Sequence, residues 1–423
     1  MIKKYNFNEV NIDDLLFRNS YAQEVSDTVK EIIADVRENG DEALRRYALK
    51  FDGAAPANLE VTKEEIDAAY DKVPKDLIAT IEKAAANIRE YHEKQLWDGY
   101  RIDNGNGKIL GQKVTPIEKV GIYIPGGTAS YPSSVLMNAV PAKIAGCDEI
   151  VMISPPTRGG DIAPVILAAA KIAGIDRIFR TGGAQGVAAL AYGTESIPKV
   201  YKITGPGNAF VAEAKRQVYG EVDIDTIAGP SEVLVIADDK SNPVYVAADM
   251  LSQAEHDKMA TAVLITDSRK LADEVAEEIE KQLKELPREE IARASIDNNG
   301  KIIITDDISE AIKVSNELAP EHLELVVDNP FDYLDEVRNA GSVFMGRYCP
   351  EPLGDYLSGT NHTLPTEGRA KYASPLGVDD YVKKVQYTYY TKDALREVYQ
   401  DIDRFAKAEG LDAHAKAATK RFE

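Results

Sequence analysis

Cysteine is scarce in this chain: Cys147 and Cys349 are the only two among 423 residues. Two thiols cannot build a disulfide framework, and their scarcity suits a reducing cytoplasm. A basic surplus is also missing. Lys and Arg number 50 against 70 Asp and Glu, a net charge of -20, which argues against a nucleic-acid or anionic-membrane partner. Long apolar runs are lacking too, since the longest, around 162–175, carries Lys171 and is too short to cross a bilayer. The opening Met1-Ile-Lys-Lys-Tyr-Asn-Phe is followed almost at once by acidic residues and does not read as a signal peptide. What remains is a soluble cytoplasmic protein long enough for two or three domains. Its histidines are few, five in all, and most stand beside other potential ligands.

The first fifth reads as helical. Val25, Val29, Ile32, Ile33 and Val36 repeat at helical spacing, and Asn39-Gly40 reads as the stop. Thr62 and Glu65 form a capping box for a second helix. A third follows Pro74, with Leu77, Ile81, Ala84 and Ile88 on one face and His92 read as a surface residue at its polar end. Residues 101–114 read as a hairpin about Asn104-Gly105-Asn106-Gly107. From Lys119, apolar strands alternate with Ala-rich helices. The first run holds 120–124, 150–153, 177–179, 200–203 and 233–236; a second holds 262–265, 302–304, 323–327 and 343–345. Such alternation predicts α/β architecture with mainly parallel, doubly wound sheets, two Rossmann-like units in the broad sense. From about Thr391 the chain reads as helical again.

Ligands of doubly wound sheets bind beyond the carboxyl ends of the strands. Glycines collect there, in Pro125-Gly126-Gly127, Thr181-Gly182-Gly183-Ala184-Gln185 and Thr204-Gly205-Pro206-Gly207-Asn208. Turns of this kind bring backbone amides and a helix N-terminus to one edge, a seat for a phosphate or pyrophosphate. A Gly-x-Gly-x-x-Gly fingerprint is absent, so no ordinary dinucleotide site is read. In the helical stretch 247–257, Gln253 and His256 stand three apart and share a face, a plausible half of a divalent-metal site. Glu321-His322, before a strand, offers two proton acceptors, with Pro320 to turn the backbone so that both reach one site. Asp355 is a candidate carboxylate ligand in a polar loop whose His362 reads as loop-stabilising. Glu409 and His414 place a carboxylate and an imidazole close together near the C-terminus.

These motifs occur in a telling order. Gly121-Ile-Tyr-Ile-Pro-Gly-Gly127 is followed by Tyr131-Pro-Ser-Ser-Val-Leu-Met-Asn138, Thr181-Gly-Gly-Ala-Gln185, Gly205-Pro-Gly-Asn208 and Ala228-Gly-Pro-Ser-Glu-Val233. Then come Ser252-Gln-Ala-Glu-His256, Ala319-Pro-Glu-His-Leu-Glu324, Gly354-Asp-Tyr356 through Asn361-His-Thr-Leu-Pro-Thr366, and Glu409-Gly-Leu-Asp-Ala-His414. Over essentially its whole length the chain resembles histidinol dehydrogenase, the last enzyme of histidine biosynthesis.

That resemblance implies a site residue by residue. One metal per subunit, normally zinc, would be held by Gln253, His256, Asp355 and His414, the last from the partner subunit of an obligate homodimer. L-Histidinol would touch Ser231, Gln253, His256, His322, Asp355, Glu409 and His414. NAD would touch Tyr123, Gln185 and Asn208, and Glu321 and His322 would be the catalytic proton acceptors. The implied domains are an N-terminal arm (1–23), a split Rossmann-like domain carrying the metal (24–119 and 232–372), an inserted NAD domain (120–231) and a helical dimerisation arm (373–423). Cys349 departs from the pattern, standing where Ser or Thr is expected, and is read as a small buried residue. Two competing readings are a relative oxidising another polar alcohol, such as a sulfonated diol, and a zinc hydrolase in which Glu321 activates metal-bound water. Glu409 and His414 count against the first; the glycine turns count against the second.

Overall fold

The structure, a computed structural model, describes residues 2–9, 23–53, 56–126, 130–227 and 229–423, which form two compact units. The larger comprises Met1–Gln95 and Ile117–Tyr381, the smaller Leu96–Pro116 and Val382–Glu423. Among the described residues no helix is long and apolar enough to cross a membrane. In chain order, β1 (Lys3–Asn6) is followed by helices and then by β2 (Gly99–Asp103) and β3 (Lys108–Pro116). Next come β4 (Lys119–Tyr123), β5 (Glu149–Ser154), β6 (Arg177–Arg180), β7 (Lys202–Thr204) and β8 (Asp223–Ile224). A second series holds β9 (Glu232–Ala237), β10 (Thr261–Thr266), β11 (Lys301–Ile304), β12 (His322–Val326) and β13 (Ser342–Met345), before β14 (Val382–Tyr390).

In the larger unit, β6-β5-β4-β7-β8 form a five-stranded sheet and β1-β11-β10-β9-β12-β13 a six-stranded one. Every pairing in both is parallel. Parallel strands need both faces covered, which is why these runs are continuously apolar. Val120 and Ile122 join Ile81, Ile88 and Leu136 in the core on one face of the five-stranded sheet. Tyr123, Val151 and Ile153 join Val29, Val36 and Val187 on the other. The six-stranded sheet is covered by helices at Pro243–Ala254 and Arg269–Gln282 on one side and Ile308–Leu318 on the other. Strand order reverses between β4 and β7 in the first sheet and between β9 and β12 in the second.

Several sequence expectations need correction. The helices at Gln23–Tyr47, Lys63–Lys72 and Lys75–His92, grouped by sequence with 232–372, pack on the five-stranded sheet instead. Their apolar faces complete its two cores, and no sequence period says which sheet a helix will cover. Residues 3–6 of the expected N-terminal arm are the edge strand β1; most of the remaining arm lies outside the described residues, as do Gly127 and Ala228. Gly40 stops its helix as expected, leaving the helical conformation at φ 47 and ψ -129, but a second helical segment follows directly across the kink, with the Asp41 amide bound to Glu195 at 2.8 Å. The Thr62–Glu65 capping box is present as expected. The C-terminal segment is not wholly helical: β14 pairs antiparallel with β3 of the expected hairpin, and the helices Lys392–Ala408 and Asp412–Thr419 follow.

His92 is fully buried rather than on the surface. Its Nδ1 lies 2.8 Å from the Ile88 carbonyl, and Asn361 approaches Nε2 at 3.4 Å. Burial lowers its pKa. A loop about 270 residues away in sequence thus covers the polar end of the helix.

Candidate active site

A cavity of about 670 Å³ in the larger unit draws its walls from opposite edges of the two sheets. From the carboxyl ends of β4 and β7 come Pro125 and the turn Gly205–Asn208. From the amino ends of β9 and β12 come Ser231, Glu321 and His322. The carboxyl-end rule thus holds for the glycine turns but not for Glu321 and His322.

Glu321 precedes β12, just after Ala319, whose φ of 53 turns the chain. His322 opens β12 opposite Val233 of β9. Both residues converge on the peptide of Glu232. Its N–H donates to Glu321 Oε2 at 2.9 Å, and its carbonyl lies 2.9 Å from His322 Nδ1. A carbonyl only accepts, so Nδ1 carries the proton and Nε2 is left as the basic nitrogen. Burial holds the imidazole down, to about 4, so it is neutral at pH 7. Burial pushes Glu321 well above the usual carboxylate range, and the charges of Glu232, Asp355 and Glu351 add to this. A raised pKa makes the ionised carboxylate a stronger base.

The metal candidates gather beside this pair. His322, Glu351 and Asp355 offer ligand atoms within 4.8 Å of one another. Gln253, in the last turn of Pro243–Ala254, is buried, and its Oε1 has no hydrogen-bond partner. An unpaired buried carbonyl oxygen is costly unless something fills it, so Gln253 fits a cation ligand. His256 lines the same cavity, but the helix ends at Ala254 and His256 lies in the turn beyond, its N–H donating to the Gln253 carbonyl at 3.1 Å. Burial raises Asp355, yet the bond to His362 and the imidazoles of His362, His322 and His256 pull it below its ordinary value. An amide oxygen, an imidazole and a carboxylate suit zinc or a similar divalent ion.

Two residues here, Glu351 and Glu232, escaped the sequence reading, and a third, His362, was read only as loop-stabilising. Glu351, raised to about 9 by burial and the Asp355 charge, shares a short helix with Asp355, and their four-residue spacing was a usable signal. His362 does more than stabilise its loop: Nε2 lies 3.2 Å from Ser134 Oγ and Nδ1 3.5 Å from Asp355 Oδ1. Glu232 had no signal beyond its place in Pro230-Ser231-Glu232.

On the cofactor side, Asn208 lines the cavity and caps the following helix, its Oδ1 accepting from Phe210 and Val211 amides at 3.1 and 3.2 Å. Tyr123 is buried, and its hydroxyl accepts from the Gly183 amide at 3.2 Å; Gln185 is buried in the same helix start. Gly205 has φ +115, and a Cβ there would fall 2.1 Å from the Tyr123 carbonyl, so only glycine fits. Glu409 and His414 belong to the smaller unit, both exposed. The cavity's lining comes wholly from the larger one. Cys349 is partly rather than fully buried.

A buried imidazole beside a buried carboxylate, a donor set that fits a cation and glycine turns at a sheet's switch point suit an oxidoreductase. Residues 17–422 match the histidinol dehydrogenase family. The chain is 56% identical to the histidinol dehydrogenase of Streptococcus mutans, over 94% of this chain and 93% of that one. It is 55% identical to that of Clostridium acetobutylicum, with the same two shares. The crystal structure of histidinol dehydrogenase from Elizabethkingia anophelis superposes with a TM-score of 0.95 at 39% identity, covering 100% of this chain and 98% of that one. The chain belongs to the histidinol dehydrogenase family. It is therefore an oxidoreductase of histidine biosynthesis.

Proposed function

We propose that the protein works in the cytoplasm as a homodimer and oxidises L-histidinol to L-histidine in two steps at one site, using NAD and one zinc ion per subunit. The observation that carries this reading is the shared anchor of Glu321 and His322 on the backbone of one residue, Glu232, at the wall of a cavity that the Gly205–Asn208 turn also lines. The two sheets act as Rossmann-like domains, with Tyr123, Gln185 and Asn208 holding the cofactor. Gln253, His256 and Asp355, with His414 of a second copy, would hold the metal, and Ser231 and Glu409 join them around the substrate.

Held by Tyr123, Gln185 and Asn208, NAD would supply the hydride acceptor for each oxidation; held by Gln253, His256, Asp355 and the partner's His414, the cation would supply a fixed charge that orients the substrate. His322 takes the hydroxyl proton of histidinol at Nε2, leaving histidinal in place. Glu321 then takes a proton from a water that adds to the aldehyde carbon, while protonated His322 returns its proton to the carbonyl oxygen, giving the hydrate and leaving Nε2 free again. His322 accepts the hydroxyl proton of the hydrate as the second oxidation gives the carboxylate. Fixing the reacting atoms is worth up to roughly 7–11 kcal/mol of barrier, which is the part assigned to the clustered ligands. The test is stoichiometric: each histidinol consumed should yield two NADH with little free histidinal. One NADH per histidinol with aldehyde accumulating overturns the four-electron reading.

A further inference from the structure

We propose that Glu232 is a positioning residue that sets the geometry of both proton acceptors; the inference rests on the function proposed above. Glu232 does not line the cavity, yet three of its parts hold the site. The peptide N–H holds Glu321 Oε2 and the peptide carbonyl holds His322 Nδ1, each at 2.9 Å. The side chain then holds that peptide. Its Oε2 accepts from the Glu321 amide at 3.3 Å, closing a reciprocal pair in which each glutamate's carboxylate accepts the other's N–H. Its Oε1 accepts from the Glu367 amide at 3.0 Å.

Glu367 is itself unusual. It lines the cavity with φ 54, a left-handed conformation rare outside glycine. Its neighbour Thr366 accepts from the Gly229 amide at 2.6 Å, and its carboxylate pairs with Arg369 at 2.8 Å. The Glu232 carboxylate therefore joins three segments: the start of β9, the turn before β12 and the strained turn at Glu367. Removing it strands the Glu321 and Glu367 amides and loosens the turn before β12 that sets Glu321 and His322 against the Glu232 backbone. A displacement near 1 Å at such a point can cost about 10²-fold in rate.

The experiment compares Glu232→Ala and Glu232→Gln with the parent holoenzyme, measuring kcat and KM for histidinol oxidation and for histidinal oxidation separately, with zinc content and thermal midpoint alongside. The alanine variant should lose about 10–10²-fold in kcat for both oxidations, with zinc content and the KM for histidinol close to the parent's. Glutamine should recover part of the loss, since its carbonyl oxygen can accept one of the two amides while its NH2 faces the other. On a Glu321→Gln background, Glu232→Ala should cost less in histidinal oxidation than it does alone, because the part of its effect that acts through Glu321 is already lost and only the part through His322 remains. A kcat within about threefold of the parent, a loss confined to KM, or full additivity with Glu321→Gln overturns the assignment. If the alanine variant does not fold, the glutamine variant carries the same comparison. A parent that makes two NADH while the variants behave like it sinks the positioning role alone; a parent that makes none sinks the proposed function and this inference together.

Discussion

At the scale of single residues, the site separates the two proposed proton acceptors by environment. His322 is buried, neutral and tautomer-fixed through the Glu232 carbonyl; Glu321 is buried among other carboxylates and correspondingly basic. Different roles follow for the two oxidations. Glu321→Gln keeps the shape and can still accept from the Glu232 amide, but it cannot take a proton from water. It should impair histidinal oxidation more than histidinol oxidation. His322→Asn keeps a donor for the Glu232 carbonyl and loses the basic nitrogen, so it should impair both. Losses on the order of 10²–10⁴-fold are expected, the usual range for a positioned acid or base. The check is single-turnover NADH formation from each substrate. Equal, small effects on histidinal oxidation would show the division of labour to be wrong.

At the scale of elements, the glycine turn after β7 is held by a buried ion pair. Asp225 Oδ2 accepts from the Gly205 amide at 2.8 Å, and Lys215 Nζ donates to the Gly205 carbonyl at 3.0 Å. The two side chains pair with each other and are 2% and 3% exposed. Both polar groups of a residue with φ +115 are thereby satisfied. Lys215→Met leaves Asp225 buried without its partner, which typically costs about 3–5 kcal/mol. The double change Lys215→Met with Asp225→Asn should be less unstable than Lys215→Met alone in urea unfolding, because the stranded charge is gone. A double variant less stable than the single one would mean that the pair is not what holds the turn.

The same scale shows what could be read from sequence. The parallel strands were legible because strands buried on both faces must be apolar throughout, as at 150–153 and 233–236. β14 was not, since Val382–Tyr390 lies mostly exposed and mixes Lys, Gln, Thr and Tyr without alternation. Gly40 reads as a stop and is one, but that a second helical segment starts at once beyond it, with the Asp41 amide held by Glu195, was not legible. His92 reads as exposed because its cover comes from Asn361, far away in sequence. In the site, Glu321 and His322 were visible as adjacent acceptors, but their location at the amino ends of strands ran against the general rule. Glu232 was invisible: its role is made by a strand pairing that only the fold supplies.

At the scale of the whole molecule, the implied ligands divide between units. Gln253, His256 and Asp355 belong to the larger, and Glu409 and His414 to the smaller, whose described segments are Leu96–Pro116 and Val382–Glu423. In the proposed homodimer, each site takes Glu409 and His414 from the other copy, an exchange that a two-fold axis makes reciprocal. His256→Ala and His414→Ala homodimers should each be inactive and poor in zinc, since every site lacks one ligand. A dimer containing one of each differs. If ligands cross between copies, one of its sites carries both lesions and the other carries neither. Unfolding the two variants together and refolding them with zinc should therefore return activity through that intact site, together with up to one tightly held zinc per mixed dimer. If His414 served its own copy, each site in the mixed dimer would still lack one ligand, and neither activity nor zinc would return. Differently tagged subunits, purified over both tags, show that mixed dimers have formed. Mixed dimers that stay inactive and empty would place His414 with the site of its own chain.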